Sequence, residues 1–182
     1  MQAEVLSVGT ELLLGQTVNT DTTIVAKALS MLGIDLLYAA VVGDNVKRLE
    51  KAVHDALERS DILITTGGLG PAGDDLTKGT LAAASGKKLV LHEPSYKRLM
   101  EYFARGGLSE NQVKQAMLPE GCTVLQNDNG TAPGCAFQTA AGKIVLMLPG
   151  PPSELEPMLR NYAVPYLAQF QSAVMASQSV QV

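Results

Sequence analysis

Tryptophan is missing from this sequence, and only five tyrosines and three phenylalanines stand among its 182 residues. A base-stacking platform for single-stranded nucleic acid needs several aromatic faces, so that class is poorly supplied. An excess of cations is missing too. Fourteen Lys and Arg stand against eighteen Asp and Glu, a net charge of −4, and the pI is about 5.2. No nucleic-acid partner is expected of such a chain. Cysteines number two, Cys122 and Cys135. They do not form a close ligand pair in the sequence, and they read as free thiols of a cytoplasmic protein. No apolar run is long enough to span a bilayer, and the opening Met1-Gln2-Ala3-Glu4 does not read as a signal peptide. The expectation is a cytoplasmic enzyme or binding domain with no membrane partner.

What is present points to a folded α/β chain. Hydrophobic residues make up 46% and the mean hydropathy is +0.12, which argues against disorder. The length favours one domain with a sizeable core. Glu4–Val8 reads as a buried strand, followed by Gly9-Thr10-Glu11, and Leu12-Leu13-Leu14-Gly15 as a helical turn. Asn19 or Thr20 is positioned to cap a helix whose apolar face is Ile24, Val25, Ala28, Leu29 and Leu32, with Gly33 as its stop. Ile34–Val42 reads as a second strand, and Val46, Leu49, Val53, Ala56 and Leu57 mark the next helix. Asp61–Thr66 is the third strand. Helices are then expected over Asp75–Ser85, Pro94–Arg105 and Glu110–Leu118, with a short strand at Lys88–Leu91 and a turn at Pro119-Glu120-Gly121. Cys122–Leu125 is a strand, Asn127–Gly130 a turn, and Cys135–Thr139 with Lys143–Leu148 a hairpin. A last helix occupies Pro151–Phe170, interrupted at Pro157 and Pro165.

Strands alternating with helices mean a parallel sheet covered on both faces, and the late hairpin makes it mixed. Ligands of such sheets bind beyond the carboxyl ends of the strands. The loops expected there are Gly9-Thr10-Glu11, Gly43-Asp44-Asn45, Gly67–Asp75 and Pro149–Pro152.

The stretch Asp61–Lys78, DILITTGGLGPAGDDLTK, carries the strongest signal. Gly68–Gly73 fits G-x-G-x-x-G between a strand and a helix, and Glu93 lies near where a ribose-binding acid belongs. Two features count against a dinucleotide. Pro71 removes an N–H from the loop, and Asp74 and Asp75 would repel pyrophosphate unless a cation lies between. The same residues suit a joint metal and phosphate site, because Mg²⁺ takes one or two carboxylates together with waters and substrate phosphates. One aspartate reads as the helix cap; the pair exceeds what a cap needs. Elsewhere, Glu11 reads as a structural group or a metal ligand, and Asp44 as the cap of the next helix. Asn129-Gly130-Thr131-Ala132-Pro133-Gly134 allows close backbone approach. Leu148-Pro149-Gly150-Pro151-Pro152-Ser153-Glu154 makes a rigid turn into a helix, with Ser153 or an N–H there able to meet an anion. Lys78 reads equally as a phosphate ligand or a solvated lysine. His54 and His92 read as surface groups.

Taken in order, VGTELLLGQTVNTD, VVGDN, TTGGLGPAGDDLTK, NGTAPG and LPGPPSEL closely resemble the N-terminal domain of the CinA family of competence/damage-inducible proteins. That domain is similar to the molybdopterin-binding domains of MogA and MoeA. The family's loop usually reads GGLGPT, whereas Ala72 stands here, which removes a hydroxyl. The resemblance implies a three-layer α/β/α sandwich around a mostly parallel mixed sheet over residues 1–170, with 171–182 opening a linker to a C-terminal part. It implies metal-dependent hydrolysis of ADP-ribose, with Asp44 and Asp75 catalytic. Asp74, Asp75, Asp44 and Glu11 would hold a divalent ion, Mg²⁺ or Co²⁺. Thr10, Gly67, Gly68, Leu69, Gly70, Lys78, residues Asn129 to Gly134 and residues Pro149 to Ser153 would contact substrate. The alternatives are a molybdopterin-binding module, by binding or adenylyl transfer without hydrolysis, or a non-catalytic oligomerisation domain of a nicotinamide-nucleotide amidase. A homo-oligomer, dimer or trimer, is expected.

Overall fold

The computed structural model describes residues 1–71 and 76–179, with side chains through residue 171. Six strands build the main sheet. They are β1 (Gln2–Val8), β2 (Asp35–Val42), β3 (Ile62–Thr66), β6 (Thr123–Leu125), β7 (Gly134–Gln138) and β8 (Ile144–Leu148), in the order β2-β1-β3-β8-β7-β6. β2, β1, β3 and β8 run parallel, and β7 is antiparallel to both neighbours. The separate strands β4 (Leu89–Leu91) and β5 (Met117–Pro119) pair antiparallel.

Alternation along the central strands sorts their side chains into two cores, because successive residues of a strand point to opposite faces. Ile62 and Ile64 join Leu146, Leu148, Val25 and Leu29, under α2 (Asp21–Met31). Leu155, Met158 and Leu167 complete that side. Leu63 joins Leu6, Val145 and Met147 against Leu49, Val53 and Ala56 of α3 (Val46–Arg59) and Leu81 of α4 (Thr77–Ala84). Helices thus cover both faces, which makes the expected three layers.

The remaining helices are α1 (Thr10–Leu13), α5 (Glu93–Tyr102), α6 (Glu110–Lys114), α7 (Pro152–Met158) and α8 (Val164–Ser179). Three expectations need correction. The helix expected over Glu110–Leu118 stops at Lys114, and Met117–Pro119 is a strand. Its apolar run satisfies its backbone against Leu89–Leu91 instead, so Pro119 belongs to that ladder rather than to a turn. The last helix is not interrupted at Pro157, which lies inside α7, but by a widened turn ahead of Pro165. Leu159–Ala163 is π-helical, with Val164 N–H donating to Leu159 O. Pro165 has no N–H for a regular bond and its ring crowds the preceding turn, which the widening relieves. Finally, the helical backbone runs on past Phe170 to Ser179.

His92 is not a mere surface group at a strand end. Its Nδ1 caps α5, accepting from Ser95 N–H at 3.3 Å. His54 pairs with Glu58 at 3.2 Å on an exposed face, as expected of a surface group.

Candidate functional site

The parallel strands end together, and the loops that follow them enclose a cleft of about 490 Å³. That size suits a nucleotide-scale ligand. The loops after β1 and β2 are clasped by a reciprocal pair. Asp44 N–H donates to Thr10 Oγ1 at 2.9 Å, and Thr10 N–H donates to Asp44 Oδ2 at 3.2 Å. Asp44 is therefore not the cap of α3, as spacing alone suggested. Asn45 is, with its Oδ1 accepting from Arg48 N–H at 3.0 Å. Relieved of that role, Asp44 lines the cleft, and so does Glu11. The Glu11 carboxylate folds back over Gly9, where a Cβ would collide with it. Thr10 itself acts through Asp44 rather than in the cleft wall.

Gly67, Gly68, Leu69 and Gly70 all line the cleft. Gly67 sits at φ +90°, and a Cβ there would come within 2.5 Å of the Val8 carbonyl oxygen. Gly68, at φ +71°, would drive a Cβ into Thr77 Oγ1, which donates to Gly67 O at 3.1 Å. Gly150 approaches from the third side, its Cβ position 3.4 Å from Gly67 Cα. Glycines thus let three loop backbones pack against each other. One phosphate donor expected here is already used: Gly67 N–H donates to Leu148 O at 3.0 Å. The N–H groups of Gly68, Leu69 and Gly70 have no partner among the described residues.

The Asn129–Gly134 loop divides. Thr131 and Ala132 line the cleft. Asn129 and Ser153 serve the structure, with Asn129 Nδ2 donating to Ser153 O at 2.9 Å. Gly130 approaches the Glu154 carboxylate too closely to carry a Cβ and faces a separate hollow. Pro133 faces another hollow, of about 240 Å³, beside His92 and Arg98. Gly134 begins β7, tight against the Met147 carbonyl oxygen and Met158 Sδ. Asn127 organises the segment. Its Nδ2 donates to Ala132 O at 2.9 Å and Glu154 Oε1 at 2.7 Å, and its Oδ1 accepts from Asn129 N–H. Pro149, Gly150, Pro151 and Pro152 form the opposing wall. Lys78 does not line the cleft: its Nζ donates to Lys114 O at 2.6 Å. Ala72, Asp74 and Asp75 lie outside the described residues.

Sequence reasoning missed several cleft residues, among them Asp21, Thr66, Asn19 and Gln115. Asp21, at the start of α2, is 9% exposed. Burial pushes its carboxyl up to about 6, partly offset by a hydrogen bond with Thr66. Below it, Thr66 Oγ1 and Ser7 Oγ lie within hydrogen-bond distance at 3.3 Å. Asn19 steadies the same corner, its Nδ2 donating to Thr22 Oγ1 at 3.1 Å. Gln115 lines the cleft from α6's end, buried, its Oε1 without a partner among the described residues. A first-turn acid reads in sequence as a helix-dipole partner. Its special character comes from a strand end far away in the chain.

The donor set fits a hard cation. Among the described residues no three His, Cys, Asp or Glu side chains gather to hold a metal. Glu11 and Asp44 nonetheless bring two carboxylates to one cleft, and Mg²⁺ needs only one or two when substrate phosphates supply further oxygens.

Known proteins resemble this chain in sequence and in fold. Residues 4–169 match the family described as "Probable molybdopterin binding domain". A CinA-like protein of Desulfovibrio desulfuricans is 54% identical over 177 residues, covering 97% of this chain and 42% of that protein. The chain spans less than half the length of the curated relatives it matches. The crystal structure of CinA from Thermoplasma acidophilum, described as of unknown function, superposes with a TM-score of 0.81 at 34% identity. That superposition covers 87% of this chain and 94% of the other. The molybdopterin biosynthesis enzyme MoaB of Thermus thermophilus shares the fold, with a TM-score of 0.64 at 19% identity and 96% of both chains covered. The chain belongs to the molybdopterin-binding domain family, within its CinA group.

Proposed function

We propose that the domain hydrolyses the pyrophosphate bond of ADP-ribose to AMP and ribose 5-phosphate, with a divalent cation. The supporting observation is the meeting of the carboxylates Glu11 and Asp44 with the glycine turn Gly67–Gly70 in one 490 Å³ cleft. Mg²⁺ or Co²⁺, held by Asp44, Glu11, Asp74 and Asp75, would neutralise phosphoryl charge and polarise the phosphoryl oxygens. The N–H groups of Gly68, Leu69 and Gly70 offer donors to phosphate oxygens where charge develops. Thr131, Ala132 and Pro149–Pro152 confine the substrate between two walls. Asp21, titrating at about 6, is ionised at neutral pH and suits acceptance of the attacking water's proton at its carboxylate.

Purified protein with Mg²⁺ or Co²⁺ should release AMP from ADP-ribose, and Asp75→Asn should remove most turnover. No AMP from the wild type, together with no effect of Asp75→Asn, would defeat the reading. The family's description favours a second reading, a molybdopterin-binding module without hydrolysis. Titration calorimetry with molybdopterin or its adenylylated form separates the two, since this reading requires tight binding and no AMP release. Both readings take the domain as cytoplasmic and homo-oligomeric, a dimer or trimer. Leu37 and Tyr38, half exposed on the edge strand β2, support association, which sedimentation analysis would measure. Among the described residues no helix is long and apolar enough to cross a membrane.

A further inference from the structure

The two cysteines, unremarkable in sequence, meet in the fold. β6 and β7 pair antiparallel with Val124 opposite Cys135. Residues two apart on a strand share a face, so Cys122, just ahead of β6, lies diagonally across from Cys135. Cys135 is a buried member of the core on that face, and the half-buried Cys122 packs against the same core. The two thiols hydrogen-bond to each other. That bond, with Lys87 and Lys78 nearby, draws the Cys122 thiol below its ordinary range, while the same neighbour and burial push Cys135 up. A half-buried thiol drawn toward ionisation therefore stands beside a buried one held against it, which is the arrangement of an attacking and a resolving cysteine.

We propose that Cys122 and Cys135 form a hydroperoxide-reactive dithiol that closes into a disulfide within the chain. In the first step the Cys122 sulfur attacks the peroxide oxygen. An S–O bond forms and the O–O bond breaks, leaving Cys122 as a sulfenic acid, and the departing oxygen takes a proton. In the second step Cys135 Sγ attacks Cys122 Sγ. The S–S bond forms, the S–O bond breaks, and hydroxide leaves with the Cys135 proton as water. Two thiols lose two electrons in all, and one hydroperoxide is reduced. The bond would close the segment that carries Asn127, Thr131 and Ala132, so the cross-link acts on one wall of the cleft without touching its carboxylates.

The test uses the intact chain under native conditions, treated with hydrogen peroxide and then alkylated. Trypsin leaves both cysteines on one peptide, because no Lys or Arg stands between Lys114 and Lys143. Cleavage before Asp128 separates them. The expected result is that the two peptides stay joined, that both thiols are lost together, and that dithiothreitol restores them. In Cys135→Ser the oxidation should stop at a Cys122 sulfenic acid, captured by dimedone. Wild-type protein in which Cys122 passes to sulfinic acid while Cys135 keeps its thiol would overturn the proposal. So would a disulfide joining two chains, or survival of both thiols.

Discussion

Asp21 and Asp44 show how much of the chemistry of this cleft is decided by what lies around a single side chain. The Asp21 carboxyl titrates at about 6 in the fold, against 3.8 ordinarily, because burial disfavours its charge. The sign of the resulting pH dependence follows. Below the ordinary value the group is protonated folded and unfolded, and it costs nothing. As pH rises toward 6 the unfolded chain ionises first, so stability falls by up to about 3 kcal/mol and then levels off. Urea denaturation of the wild type and Asp21→Asn at pH 4, 5, 6 and 7 should show that loss in the wild type alone; parallel curves would contradict it. The same substitution should lower turnover about 10²- to 10⁴-fold if Asp21 accepts the water's proton. Asp44 and Asn45 make a second pair. Asn45→Ala removes the cap of α3 and should cost about 1 kcal/mol with turnover retained. Asp44→Asn should remove most turnover while leaving stability within about 0.5 kcal/mol. Spacing alone makes Asp44 the cap, because adjacent Asp and Asn are both good caps. Only the clasp with Thr10, 34 positions away in the chain, decides between them.

Secondary structure was legible where its signal is local. The parallel strands, α2, α3 and the β7–β8 hairpin follow from apolar spacing and glycine stops, and each lies within a residue or two of its expected bounds. The elements that were not legible owe their form to partners elsewhere. β5 exists because β4 is there to pair with it, and Leu159–Ala163 widens because Pro165 follows. The cysteine pair is legible only once β6 lies on β7. The glycine turn can be tested at this scale. Gly67→Ala and Gly86→Ala both put a side chain at positive φ, at a cost of about 1–2 kcal/mol. Gly86 has open space around its Cβ position, whereas Gly67 meets the Val8 carbonyl oxygen. Denaturation midpoints should therefore fall further for Gly67→Ala than for Gly86→Ala. Equal losses would show that the close approach of the loops carries no energy.

The whole molecule is a sheet with a core on each face, and its cleft is a property of the ends of the strands rather than of any one loop. Leu63 lies wholly buried in the middle strand region and fills the α3 side, so Leu63→Ala should cost about 2–5 kcal/mol by chemical denaturation. At the opposite end of β1 from the cleft, buried Glu4 is held by Arg59 at 2.6 Å and by Ser60 Oγ at 2.6 Å, an anchor unconnected to the chemistry. The convergence of four strand-end loops was legible from the alternation of elements. Which of the expected contact groups stay available to the cleft was not, since Gly67 N–H, Asn129 and Lys78 turn out to be tied to backbone partners. The most direct measurement of the whole arrangement is a crystal structure of the domain with ADP-ribose and Mg²⁺. The expected result is the diphosphate, or the phosphate of AMP, against Gly68–Gly70 with the cation beside Asp44. Nucleotide bound in the hollow beside His92 and Arg98, with nothing in the cleft, would contradict it.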